Sequence, residues 1–511
     1  MALPETPSSF SPVARTLAAN RLGVPAVVFF VMNAATPLTV VAGVVTTGYA
    51  TTGLTGIPLS FVIVGAILAV FSVGYVAMAR QVANAGVFYS YISQGIGRPF
   101  GVGASWVALL AYNGLQVGLY GAIASAATPL LDQWFGIQPA WWLIAGVAWL
   151  LTAVLGLLRV DINGTVLAVL LLAEVAVILV YSVADLANPA GGQVSLETLS
   201  PGNLFDPGVG AILVLAVLGF VGFESAVVFS EESKDPRRTI TTATYLSVAL
   251  IAALYTFASW AMTVATGPDQ IVKQSADHGP ELIFTLAGGH LSKTVVDIGH
   301  ALFVTSIVAA MISFHNTTAR YMFALGRERV LPAALGRTSR RTGAPDNASL
   351  LQSFIGIAVI VTYAIAGWDP LVQLFFWGGT SGALGVLFLI AATSIAVIAF
   401  FARNPSGEPL WHRLIAPVIA TIALAIVLVL ALDNFATLLG VKPDHVLAWA
   451  IPVAYLVATM LGIGWGLILK ARRPDVYRGI GLGAKSATVT VGPSGGIPER
   501  DSAGVRPGAH R

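Results

Sequence analysis

The chain has 511 residues, of which 56% are hydrophobic and only 10% charged, with a mean hydropathy of +0.82. Soluble domains carry about 25% charged residues, so this chain cannot clothe its surface for water and lipid is its expected solvent; the net charge of +3 says little by itself. The absence of cysteine excludes disulfides, thiolate metal sites and thiol catalysis.

The opening stretch MALPETPSSFSPVARTLAANRLG is polar and proline-broken. It lacks a short apolar core followed by a small-residue cleavage site, so the first apolar segment is expected to be an uncleaved anchor. From there, runs of spanning length (about 20 apolar residues) recur twelve times, near 24–46, 57–79, 102–128, 140–158, 162–184, 209–230, 240–266, 298–319, 349–366, 371–400, 413–432 and 446–469. The remainder, 471–511, is rich in glycine, proline and serine and reads as a disordered tail.

Basic residues test this topology independently. With a cytoplasmic N-terminus, all of the 27 lysines and arginines except Lys273, Lys293 and Lys442 fall on the inner side or at its boundary. That is a strong positive-inside bias, which one missed or invented span would scramble. Both termini are therefore expected in the cytoplasm of a multi-pass protein of the cell membrane.

Two of the spans contain poor helix formers. The first holds VMNAATPLTVVAG, with Pro37 in mid-membrane, and the sixth holds LGFVGFES, with Gly219 and Gly222. Proline removes a backbone donor and clashes with the preceding turn, and glycine is about 1 kcal/mol worse than alanine in a helix. Interruptions five spans apart on opposite headings are the mark of an inverted repeat. The expected organisation is a segment 1–23, a first five-helix repeat over 24–184, a second over 185–400, two further helices over 401–470, and the tail; two ordinary kinks are the plainer alternative.

Broken membrane helices expose backbone groups that lipid cannot satisfy, so they are tolerated where they line a cavity or face protein. Half-helix N-termini suit a carboxylate, and exposed carbonyls suit an ammonium or cation. A paired break thus makes a site for a small zwitterion near the bilayer midplane. The acids deep in the spans are Glu174, in LLLAEVAVILV, and Glu224, in GFVGFES. Each costs about 2.5–3.5 kcal/mol if charged and unpaired, and each is a candidate proton carrier; alternatively Glu224 simply accepts hydrogen bonds from amides freed by the break.

Asn113, Gln116 and Tyr120, in AYNGLQVGLYG, share one helical face and either line a pathway or bond neighbouring helices. The aromatic run Phe375, Phe376, Trp377 reads as packing or an interfacial belt before a gate, and His315 with Asn316 as a satisfied polar pair. The glycines of GGTSGALG lack a phosphate-loop lysine and point to close helix packing. No metal-ligand cluster, nucleophile constellation or nucleic-acid patch is found, no cofactor is implied, and oligomeric state leaves no signature.

The stretch GFVGFES…EESKDPRRTI resembles the sixth-helix signature of the amino acid–polyamine–organocation permeases: a glycine–aromatic–acid triplet, paired acids at the inner end, and a Pro-x-Arg-x-Ile turn. RQVANAGVFYSYISQGIGRPFG is similar to the link after their second helix, and ARYMFALGRERVLPAALGRTSRRTGAP to the segment after their eighth. The resemblance spans about residues 20–470. It implies an all-α fold of twelve helices, ten in a leucine-transporter-type five-plus-five inverted repeat, with substrate between the breaks of helices one and six. It further implies that Ala34, Ala35, Thr36 and Leu38 offer donors to a substrate carboxylate. Gly219, Phe220 and Val221 would offer carbonyls to its amine, Phe223 would shape the cavity, and Glu224 would link gating to protonation.

Two departures qualify this. Pro37 stands in the first break and has no N–H, as in some members resembling putrescine importers. Glu174 occupies a helix-five position often held by lysine; an acid there could carry a proton, bind a cation or pair with an amine. The expected function is an importer, not an enzyme, that moves an amino acid or related small amine by alternating access, with a proton (or sodium) as coupling ion. A polyamine- or ethanolamine-type importer, an amino acid exchanger and a non-transporting sensor are the alternatives.

Overall fold

The computed structural model describes residues 22–82, 86–158, 160–203, 208–339, 341–405, 407–483 and 486, the side chains of 160–167 excepted. The expected N-terminal segment up to residue 21 and the tail from 487 lie outside the described residues. Among the described residues the only extended pairing is an isolated bridge between Leu22 and Ser233; everything else regular is helical.

The chain opens with α1 (Val24–Ala34) and, after a two-residue interruption, α2 (37–52), whose turns widen to π geometry over Val40–Val45. Then come α3 (Ile57–Ala79), the short α4 (Val87–Gly95), the long α5 (Arg98–Phe135), α6 (Trp141–Gly156) and α7 (Val160–Ala187). A second series runs α8 (Val209–Phe220), a 3₁₀ segment (Phe223–Glu232), α9 (Pro236–Thr266), α10 (Ile271–His278), α11 (Leu282–Gly288), α12 (Lys293–Arg327), α13 (Asp346–Ala366) and α14 (Trp377–Arg403). The last elements are α15 (Ala416–Asp433), α16 (Phe435–Leu438), α17 (Val446–Arg472) and α18 (Pro474–Gly479).

Among the described residues, eleven helical stretches are long and apolar enough to cross a membrane, and each overlaps one expected span. The expected span at 140–158 is α6, whose 16 residues rise about 24 Å, short of a hydrocarbon core of about 30 Å. The protein is an all-α, multi-pass membrane protein.

Small residues let its helices approach. Gly378 and Gly382 of the GGTSGALG run face α5, where an added Cβ would lie 3.0 Å from the Gly114 carbonyl and 2.8 Å from the Ala111 carbonyl. Such close backbone approach is how membrane helices associate without a hydrophobic drive, and it accounts for these glycines as packing residues.

Contacts between loops place many basic residues on one face. Arg80 pairs with Glu408 at 3.2 Å, Arg98 donates to the Arg478 carbonyl, and Arg403 donates to the carbonyls of Gln94 and Gly95. Lys293 instead pairs with Asp297, and Gln133, near the other end of α5, donates to the same Asp297.

The start of the expected disordered tail is ordered. α17 runs on to Arg472, α18 follows, and Val476 and Ile480 are buried. Glu328 anchors this segment by accepting from the amides of Gly481 and Gly483, both at 2.6 Å, and from the Tyr89 hydroxyl. Both glycines have positive φ, 78° and 61°, a geometry that suits glycine and turns successive amides onto one carboxylate. Burial pushes the Glu328 carboxyl up, opposed by those donors and by Arg327.

Candidate functional site

Both expected interruptions are present, and they touch. α1 stops at Ala34, Thr36 takes a left-handed conformation at φ 47°, and Pro37 begins α2. Proline is suited to that first position because its missing N–H would lack an intrahelical partner anyway. In the sixth span α8 stops at Phe220, and Gly222, at φ 114°, precedes the 3₁₀ segment. A Cβ on Gly222 would fall 2.6 Å from the Ala34 Cβ; the two breaks are in direct contact.

Beside this contact lies a cavity of about 70 Å³. Ala34, Thr36 and Val221 contribute from the breaks. Thr39, Val40, Gly43, Val44 and Thr47 extend the wall along one face of α2, at the spacing of successive helical turns. Leu115 and Leu119 of α5, Leu215 and Leu218 of α8, and Phe375 and Phe376 complete much of the remainder.

The other expected site residues sit behind this wall. The Ala35 carbonyl accepts from the Tyr255 hydroxyl at 2.6 Å. Leu38 is fully buried, Gly219 backs onto Phe61, Val40 and Tyr255, Phe220 packs against Phe61, and Phe223 meets Phe71 edge-on. Asn113, Gln116 and Tyr120 are not in the wall either. Asn113 accepts from Gln352 of α13 and Gln116 donates to Tyr120, because the face of α5 turned to the cavity is that of Leu115 and Leu119, about 100° away. Asn113 thus bonds to a neighbouring helix, whereas the Gln116–Tyr120 bond stays within α5.

Glu224 is 1% exposed and lies off the cavity. One carboxylate oxygen accepts from the Tyr112 hydroxyl at 2.8 Å and the other from the Gly222 amide at 2.9 Å, while Tyr75 donates to the Glu224 backbone carbonyl. The carboxylate therefore closes the break locally and ties it to α5, while the backbone carbonyl ties it to α3. Glu174 of α7 is equally buried. Its oxygens have no partner of ordinary hydrogen-bonding geometry among the described residues, and they face the Ser306 hydroxyl of α12 and the Leu38 amide just past the first break. The Leu38 N–H thus turns toward Glu174 and away from the cavity.

On the Leu22 side of the breaks lies a buried cluster of aromatic and charged groups that the sequence reading did not single out. Phe30 of α1 stacks on Phe229 at 4.6 Å, and Arg320 of α12 lies over the same ring. Arg320 makes a two-pronged ion pair with Glu232 at 2.7 and 3.0 Å, and Arg327 makes another with Glu231 at 2.7 and 2.8 Å. The Leu22 amide donates to the Glu232 carbonyl, and the Lys234 amide to that of Leu22. His315 pairs with Ser349 at 2.8 Å and Asn316 accepts from Arg320, so these two are not each other's partners. The three stretches that carry the family resemblance meet here: Glu231 and Glu232 from the first, Tyr89 from the second, and Arg320, Arg327 and Glu328 from the third.

Comparison with known proteins agrees with this architecture. The sequence model described as amino acid permease matches residues 22–463, most of the chain. The chain belongs to the amino acid permease family. Among its relatives, a branched-chain amino acid permease of Bacillus subtilis is 25% identical over 50% of this chain and 49% of its own. A probable GABA permease of Pseudomonas aeruginosa is 25% identical over 76% of this chain and 80% of its own. A low-affinity putrescine importer of Escherichia coli is 26% identical over 51% and 57% respectively. The chain spans about half the length of the first and third of these relatives. Members of this family are permeases rather than enzymes.

Proposed function

We propose that this permease family protein is a secondary active transporter that imports an amino acid or related small amine by alternating access, coupled to a proton gradient. The observation that carries the reading is the cavity at the contact of two broken helices, with buried ion pairs joining the 3₁₀ segment to α12 on the Leu22 side. A substrate carboxylate would sit at the start of α2, near Thr36, where the helix dipole favours an anion. Its ammonium would sit against the last carbonyls of α1 and α8, near Ala34 and Val221. Glu174 and Glu224 are the candidates for the coupling proton: each is a buried carboxyl beside one break, so its protonation would be sensitive to how that break is packed. Arrangement of 24–184 and 185–400 as inverted repeats fits breaks in corresponding positions. The basic face, rich in lysine and arginine, would be cytoplasmic by the positive-inside rule, in a cell membrane.

In this reading the ion pairs of Arg320 and Arg327 form the inner gate, and opening it requires parting the 3₁₀ segment from α12. The test is uptake by the purified full chain in proteoliposomes, under imposed proton or sodium gradients, across a panel of amino acids and amines. Accumulation driven by an inward proton gradient is the expected result. Sodium-driven accumulation, or exchange alone, overturns the proton coupling, and no movement of any compound overturns the transport reading.

A further inference from the structure

Resting on the transport reading, we infer that the substrate is a neutral amino acid with an apolar side chain, and that cationic amino acids and polyamines are rejected. Among the described residues, no charged side chain lines the cavity. Its polar side chains are four threonines, Thr36, Thr39, Thr47 and Thr380, and the rest of the wall is aliphatic, aromatic or glycine.

A second positive charge, as on lysine or putrescine, would have to enter this wall without a carboxylate. Burying an ammonium unpaired is costly, and hydroxyl dipoles do not replace an ion-pair partner. The buried acids that could serve are placed elsewhere. Glu224 has both oxygens engaged by Tyr112 and Gly222, and Glu174 lies behind the first break, facing Ser306 and Leu38. A substrate with a second carboxylate fares no better, since no basic side chain lines the cavity. Methyl and methylene groups, in contrast, find partners in Val44, Leu115, Leu119 and Phe376.

The test is competition in proteoliposomes containing the full chain, with labelled L-valine as probe and unlabelled L-alanine, L-leucine, L-phenylalanine, L-lysine, L-glutamate and putrescine as competitors. Melting of the detergent-solubilised protein with the same compounds gives a readout that does not depend on turnover. Alanine, valine, leucine and phenylalanine are expected to compete and to raise the melting temperature; lysine, glutamate and putrescine should be weaker by a hundredfold or more. Equal or better competition by lysine or putrescine overturns the inference and leaves the transport reading standing. If none of the compounds is transported or stabilises the protein, both fall. Two substitutions carry the argument further: Thr380→Asp and Leu119→Asp each place a carboxylate in the wall and should bring lysine or putrescine into competition. Where both variants fold, as judged by melting, yet gain no cation binding, the assignment of this wall to the substrate is overturned.

Discussion

Gly222→Ala tests the contact on which the candidate site depends. The residue sits at φ 114°, outside the regions that L-residues favour, and a side chain there costs about 1–3 kcal/mol of backbone strain. The new Cβ would also lie 2.6 Å from the Ala34 Cβ and 3.1 Å from the Ala34 carbonyl carbon. Reaching ordinary contact requires the two breaks to part by roughly 1 Å, and overpacking of this kind costs about 1–3 kcal/mol. Together the terms come to about 2–6 kcal/mol, and even the lower figure reduces the population of the touching arrangement about thirty-fold. Initial uptake rate should fall by at least that factor, and the melting temperature should drop. Gly146→Ala is the control: nothing lies within 4 Å of its added Cβ, and alanine in a helix interior should be favourable by up to about 1 kcal/mol. Uptake and melting of Gly222→Ala equal to those of the parent would refute a substrate site built on this contact.

Glu174→Gln keeps shape and burial while removing the titrating group, so uptake should lose its response to an imposed proton gradient with the melting temperature preserved; an unaltered response to both proton and sodium gradients would make Glu174 structural. Glu232→Gln leaves Arg320 without its buried partner, a loss of about 3–5 kcal/mol that should appear as a melting point lower by several degrees. The double change Glu232→Leu with Arg320→Met removes both charges, so it should recover most of that stability while still disturbing uptake; parent-like transport by the double variant would deny these residues a gating role. Glu328→Ala withdraws the acceptor shared by Tyr89, Gly481 and Gly483, and trypsin should then cut the 472–478 stretch faster, an effect absent if docking depends on Val476 and Ile480 alone.

Much of this architecture could be read from residue order, because proline and glycine act through local rules. Pro37 and Gly222 mark the two breaks for reasons that hold in any helix, and long apolar runs declare membrane spans by length. The cavity wall was harder to see. Leu115 and Leu119 look like lipid-facing residues in a linear sequence, and the polar Asn113, Gln116 and Tyr120 on the adjacent face stand out more than the leucines that line the cavity. The inward face of α5 is set by its packing against α12, α14 and α17. The buried ion pairs escaped notice for another reason: Glu232 and Arg320 are 88 positions apart, Glu231 and Arg327 are 96 apart, and charges near span ends read as topology signals. The ordered stretch after Arg472 was hidden by composition, since glycines that suggest disorder here supply the positive-φ turns that Glu328 needs.

The length of α12 has a mechanical consequence. This helix is continuous from Lys293 to Arg327, with Ser306 beside Glu174 and Arg320 beside Glu232 about 21 Å farther along its axis. A stiff rod bearing on both places acts as a lever: a few degrees of tilt seated at the Glu174 end sweeps the Arg320 end by an ångström or more, enough to unseat a guanidinium from its carboxylate. Events at one end can then be felt at the other without a relay of side chains between them.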